Sequence, residues 1–183
     1  MKKLVYFVLP ALFLLGACTS ATTPQAGEEQ ASGKQGAQQG KFSLYITDAP
    51  LEAEEVVVNY REIAVHKTGA GFETIWTGTN KMDLIKLLND KELLLDAELT
   101  AGFYTQIRFV IDSGHVVVGG IQYPLEVPSS EIKISANFQV QEGGTTTVVL
   151  DFDAEKSVHV TGAGKNNKKY SLRPVILVKS VSY

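Results

Sequence analysis

After residue 40 the apolar residues fall in short runs that alternate with polar ones, and a turn signal interrupts the alternation roughly every 8–12 residues. A period of two places successive side chains on opposite faces of an extended strand, so each run can bury one face and wet the other. Leu44 and Ile46 alternate with Ser43, Tyr45 and Thr47 ahead of an Asp48-Ala-Pro50 turn. Residues 56–66 form a long β-branched run with an irregularity expected at Arg61-Glu62. Phe72, Thr74 and Trp76 fall on one expected strand face, between glycine-rich turns at Gly69/Gly71 and Gly78. In residues 104–111, Ile107, Phe109 and Ile111 share one side, with Gln106 and Arg108 on the other. Gly119-Gly120, between His115-Val-Val-Val and Ile121-Gln-Tyr, predicts a hairpin, because a two-residue type I′ turn needs positive φ at both positions. Further strands are expected at residues 132–134, 138–140, 145–152, 157–160 and 170–181.

One segment departs from this pattern. Leu84, Leu87 and Leu88 fall at i, i+3 and i+4, with Asp83 placed to cap the first turn, which predicts one short helix over residues 83–89. It would cover an open edge or end of the sheets. The pattern as a whole predicts an all-β chain, a two-sheet β-sandwich of transthyretin-like or immunoglobulin-like general shape with one short helix. Cys18 is the sole cysteine, so no internal disulfide can form and the fold must be held by its core alone. A domain the size of residues 41–183 buries about two-thirds of the surface its unfolded chain exposes, sufficient for that purpose.

The N-terminus carries an address. Lys2 and Lys3 precede an apolar run over residues 4–15, and such a run covers only about 18 Å as a helix, short of a ~30 Å hydrocarbon core. A basic start, a short apolar stretch and small residues describe a cleaved export signal over residues 1–17. Leu15-Gly16-Ala17-Cys18 resembles the lipobox of bacterial lipoproteins. That resemblance implies a diacylglyceryl group on the Cys18 thiol, cleavage before it and acylation of the new amino group. Two or more acyl chains anchor stably where one does not. The residue after Cys18 is Thr19 and not the Asp that retains Gram-negative lipoproteins at the inner membrane, which leans toward the outer membrane or cell surface. Residues 19–40 hold no Val, Ile, Leu, Met, Phe, Trp or Tyr. Such a stretch cannot repay the entropy of ordering, so residues 18–40 are expected to form a lipidated, disordered linker spanning about 25 Å.

Several phrases are familiar together. Ser43-Leu-Tyr-Ile-Thr-Asp-Ala-Pro50, Glu98-Leu-Thr-Ala-Gly-Phe-Tyr-Thr-Gln-Ile-Arg108, Leu150-Asp-Phe-Asp-Ala-Glu-Lys-Ser157 and Leu172-Arg-Pro-Val-Ile176 occur in that order. In this the chain resembles domain of unknown function family 4382, over nearly all of residues 41–183. The resemblance implies an exported prokaryotic protein, often a lipoprotein, and brings no activity with it. Ala101-Gly102-x-Tyr104 at the start of a strand also resembles transthyretin-like and carboxypeptidase-regulatory-like sandwiches.

Few constellations could carry chemistry. Asp151, Asp153 and Glu155 stand at i, i+2, i+4 where a strand ends, and Val148, Leu150 and Phe152 as its core face would turn both aspartates outward. With Asp48, also at a strand end, they form a candidate calcium site, since hard cations need clustered carboxylate oxygens. An EF-hand is ruled out by Lys156 at the sixth position and Gly162 at the twelfth. The alternative is that these aspartates cap turns, accept backbone N–H bonds or pair with Lys156 and Arg173. His66, His115 and His159 are far apart and match no zinc spacing. Ser113-Gly-His115 lacks a nucleophile elbow, and Ser129-Ser130 reads as a loop. Trp76 either fills the core or offers an exposed platform for a sugar ring or a partner protein. Lys165, Lys168 and Lys169 with Asn166-Asn167 form a hydrophilic hairpin tip.

The formal net charge is −3, which argues against nucleic acid as a partner, because phosphate neutralisation needs a cationic surplus. Three readings follow. The first is a membrane-tethered interaction module for a protein or glycan, without enzymatic activity or a cofactor. The second is a calcium-stabilised structural domain using Asp48, Asp151 and Asp153. The third is a hydrolase using a carboxylate pair.

Overall fold

A computed structural model describes residues 37–48, 52–87, 90–162 and 168–183. The expected export signal, Cys18 and the expected linker up to residue 36 lie outside the described residues, as do Pro50, Leu88, Lys165, Asn166 and Asn167. The described residues all belong to one compact unit beginning at Gln35.

Among the described residues, eleven strands build two sheets. The smaller sheet contains β1 (Gln39–Asp48), β4 (Glu92–Thr100), β8 (Thr145–Phe152) and β11 (Ile176–Ser182) in the spatial order β11-β8-β1-β4. The larger contains β2 (Glu55–Lys67), β3 (Gly71–Asp83), β5 (Gly102–Val118), β6 (Ile121–Glu126), β7 (Glu131–Val140), β9 (Val158–Thr161) and β10 (Lys169–Leu172). Its order is β3-β2-β5-β6-β10-β9, with β7 also on β5. The chain is thus the two-sheet sandwich that the alternation predicts.

The core lies between the sheets, where alternate residues of each strand meet. Phe42, Leu44 and Ile46 of β1 and Val148, Leu150 and Phe152 of β8 face Val58, Tyr60, Ile63, Ile107 and Phe109 from the larger sheet, all buried. Each such side chain contributes about 1.5–3 kcal/mol by leaving water. Phe138 stacks at 5.1 Å on Phe42 of the opposite sheet and at 5.1 Å on Tyr104 of its own. The Tyr104 hydroxyl donates to the Thr100 carbonyl at 2.7 Å, and burial pushes its pKa up to about 12.

Four local expectations change. Residues 102–118 are one continuous strand and not two; β5 pairs with β7 through Val110 and with β6 from His115. Gly114 lets it pass close to its neighbours, since a Cβ there would stand 2.8 Å from the Val57 carbonyl oxygen. The runs at 132–134 and 138–140 likewise merge into β7. The expected final strand divides at residues 173–175 into β10 of the larger sheet and β11 of the smaller. The segment after Asp83 is a 3-10 turn (Leu84–Leu87) instead of an α-helix. Asp83 does cap it, accepting from the Ile85 N–H at 3.2 Å, and the turn packs on β1 and β2. The α-helix of the described residues is a single turn, α1 (Ala154–Ser157), immediately after β8. The Gly119-Gly120 hairpin forms as expected, with φ of 60° and 72°. The irregularity near Arg61 is also present as a register shift between Tyr60 and Glu62.

Candidate functional site

Parallel pairing of β1 with β8 sets Thr47 beside Asp151 and Asp48 beside Phe152, so the sequence's candidate carboxylates come to one end of two neighbouring strands. Their oxygens are engaged in holding the chain. Asp48 is 5 % exposed and its Oδ1 accepts from the Ala154 N–H at 2.9 Å, tying the end of β1 to the first residue of α1. Asp153 is the N-cap of α1: Oδ1 accepts from the Lys156 N–H at 2.9 Å and Oδ2 pairs with Lys156 Nζ at 2.6 Å. The Lys156 side-chain bond, then its backbone N–H, holds the Asp153 carboxyl below its ordinary range; the same pairing raises Lys156. Asp151 turns to the outer face of the smaller sheet, 3.5 Å from Lys179 Nζ on β11. Among the described residues no three His, Cys, Asp or Glu side chains group closely enough to hold a metal ion. The arrangement is a set of caps and pairs at a strand-to-helix turn, stitched further by Ser157. That fully buried serine donates from Oγ to the Asp153 carbonyl at 2.6 Å and accepts from the Val175 N–H at 2.8 Å.

Trp76 is not on a face with Phe72. Opposite Trp76 stands Ile63, but opposite Thr74 stands Ala64, so β3 carries one extra residue at Ile75. This bulge reverses the alternation. Trp76 therefore points inward, half-buried, with its ring 5.2 Å from that of Tyr60. Gly78 is not a turn: β3 runs through it, and the indole lies over its backbone, where a Cβ would come 2.9 Å from Trp76 Cζ2. Phe72 and Thr74 remain on the outer face of the larger sheet. There Arg108 stacks 4.7 Å from the Phe72 ring centre and bonds Glu62 at 2.8 Å, while Thr74 bonds Glu62 at 3.1 Å. The Arg108 guanidinium holds the Glu62 carboxyl below its ordinary value.

The three histidines stay apart. His66 Nδ1 is 2.9 Å from Thr105 Oγ1, His115 Nε2 is 3.6 Å from Glu55, and His159 is exposed. Ser113 accepts from Asn59 Nδ2 at 2.9 Å, with no base engaged on it. Lys168 and Lys169 are exposed where the β9–β10 pair begins to close.

Open depressions among the described residues include one of about 240 Å³ along Gln39, Lys41, Glu98 and Gly143, and two others. One, of about 400 Å³, lies on the outer face of the smaller sheet along Lys41, Ser43, Asp96, Glu98 and Thr145. Here Ser43 Oγ donates to Asp96 Oδ1 across the β1–β4 pair. The other, of about 190 Å³, runs over the β5–β7 pair between Phe103 and Tyr183, past Thr105, Asn137 and Gln139. Sequence reasoning did not single these residues out. A usable signal was present: Phe103 and Tyr104 are adjacent in a strand, so their rings must point to opposite faces and one must meet solvent.

The family described as a domain of unknown function, DUF4382, matches residues 39–174. This chain belongs to the DUF4382 family. The matched stretch begins with the first residue of β1 and ends between β10 and β11, so the DUF4382 domain comprises all strands but the last. Phe103, Asn137 and Gln139 lie inside it and Tyr183 follows it. No curated protein and no solved structure matches the chain. Among the described residues of this DUF4382 protein, no helix is long and apolar enough to cross a membrane.

Proposed function

We propose that this DUF4382 protein is a cell-envelope lipoprotein, held at a membrane through acylated Cys18, whose sandwich is an interaction module for a protein or glycan and not an enzyme. The observation that carries the reading is the pairing of a lipobox-like Leu15-Gly-Ala-Cys18 with a domain whose surface depressions are open, one lined by Lys41, Ser43, Asp96 and Glu98 and another by Phe103, Asn137, Gln139 and Tyr183. A hydrolase would need two carboxylates facing each other across a cleft. Asp48 here bonds the Ala154 N–H and Asp151 pairs with Lys179, which favours scaffolding over catalysis. We infer likewise that the fold stands without a bound cation, because Asp48 and Asp153 already accept from backbone and lysine N–H groups.

Growth of the native host with labelled palmitate tests the anchor. Wild-type chain should carry label in the membrane fraction, and Cys18→Ser should carry none and leave that fraction; a wild-type product with an unmodified Cys18 thiol would refute it. Affinity capture with the full chain against envelope proteins and a glycan panel tests the module. Saturable binding to one of them is expected, and turnover of a glycan or peptide substrate would contradict the non-enzymatic reading.

A further inference from the structure

Phe103 and Tyr183 are 62 % and 66 % exposed, the two large aromatic rings left open to water among the described residues. Eighty positions apart in sequence, they flank the same groove over β5 and β7. Its floor is the strand pair at Tyr104 and Phe138, whose own rings are turned into the core and stacked there. Its polar groups are the Tyr183 hydroxyl, the Asn137 and Gln139 side-chain amides and the Thr105 hydroxyl, which also lies 2.9 Å from His66 Nδ1. A register shift between Tyr104 and Gln106 places a bulge here, the device by which sheets re-aim side chains. No side chain among these is ionised at neutral pH, although the chain as a whole carries 17 basic and 20 acidic residues.

The edge of β7 bordering the groove is already taken. The Gln139 N–H donates to the Tyr183 hydroxyl oxygen at 3.4 Å, and the Gln139 carbonyl accepts from Thr146 Oγ1 at 2.9 Å. A peptide adding itself as a strand would need those two groups free. The lining therefore asks for a ligand without charge, with apolar faces for two rings and hydroxyls for amide and hydroxyl partners. A pyranose has both: axial C–H groups on its faces and hydroxyls around its rim.

We propose that the groove between Phe103 and Tyr183 is a binding site for a neutral glycan, with the two rings stacking on sugar faces and Thr105, Asn137 and Gln139 bonding its hydroxyls. This rests on the interaction-module reading and gives it a site and a ligand class. The full chain, in mild detergent, is run through native gels containing xylan, mixed-linkage β-glucan, glucomannan or chitin oligosaccharides, with polygalacturonate as the anionic arm. Retardation by at least one neutral glycan is expected. Phe103→Ala and Tyr183→Ala should each weaken it at least tenfold, Asn137→Ala about fivefold, and Tyr183→Phe, which keeps the ring, far less than Tyr183→Ala. Leu177→Ala, equally exposed on the other sheet, should change nothing. Unshifted Trp76 emission in each variant shows that the fold is intact. Wild-type retardation in both ring variants overturns this site while leaving a glycan-binding module standing, and so does retardation by polygalacturonate alone. Failure with every glycan, alongside saturable capture of a protein, overturns the groove but not the module; failure of both overturns the two together.

Discussion

Ser157→Ala removes one oxygen atom from a position with no solvent exposure, at the point where β8, α1 and the β10–β11 connection meet. The hydroxyl both donates to the Asp153 carbonyl and accepts from the Val175 N–H, while the serine's own backbone bonds, to Asp153 at 3.0 Å and from Arg173 at 2.8 Å, do not depend on it. The substitution should leave the local chain path intact and strand the Val175 N–H. A buried donor without an acceptor costs about 1–3 kcal/mol. For a domain between the 100- and 150-residue classes, each kcal/mol moves the melting temperature by roughly 3–4 °C, so a fall of about 3–12 °C is expected. The assay is a thermal melt paired with guanidinium unfolding, in which the midpoint should drop while the m-value stays constant. Ser129→Ala, which deletes an exposed hydroxyl bonded to the Glu131 carbonyl, serves as control and should stay within about 0.5 kcal/mol. A Ser157→Ala protein as stable as the control would refute the claim that this hydroxyl stitches the start of α1 to the β10–β11 connection.

Asp153→Ala should cost about 1 kcal/mol as the loss of an N-cap, read from the same melts. Asp153 and Glu62 both have depressed carboxyl pKa values, so the unfolded chain binds more protons than the folded one as pH falls below their ordinary 3.8 and 4.5. Stability from both is complete above that range and declines below it; acid titration of an Asp153→Ala/Glu62→Gln double variant should show a shallower decline than wild type. Melts in calcium and in chelator should coincide. A cation at one hundred times its dissociation constant would instead add about 2.7 kcal/mol, or roughly 8–11 °C, and such a gap would restore the cation site. Gly78→Ala should push the Trp76 indole off the strand, shifting the emission of this single tryptophan to longer wavelength and costing about 1 kcal/mol; an unchanged spectrum would contradict the packing described.

Short-range signals in the sequence were readable and long-range ones were not. The Gly119-Gly120 hairpin, the Asp83 cap and the inward faces of β1 and β8 are decided within a few residues, and each appears where expected. Strand β4 went unread because Leu93, Leu94 and Leu95 are consecutive and a register shift against Leu44 and Tyr45 breaks the alternation. Trp76 was assigned to the wrong face for the same reason, a single extra residue at Ile75 that no propensity announces. The candidate carboxylates were correctly placed at strand ends. That Asp48 reaches α1 depends on a parallel pairing between strands a hundred residues apart. The Phe103–Tyr183 groove likewise depends on a long-range meeting, of a residue of β5 with one eighty positions later that follows β11 of the other sheet.

Strand β1 occupies the middle of the smaller sheet, with β4 on one side and β8 on the other. During synthesis it is the first of the eleven to emerge, yet its second neighbour arrives only when residue 152 has been made, and contacts so distant along the chain form slowly. Under the export proposed above, a polypeptide threaded across a bilayer in extended form would gain a timetable from this order. The sandwich would not close early behind its N-terminus, because the partner that locks its opening segment in place is still unmade.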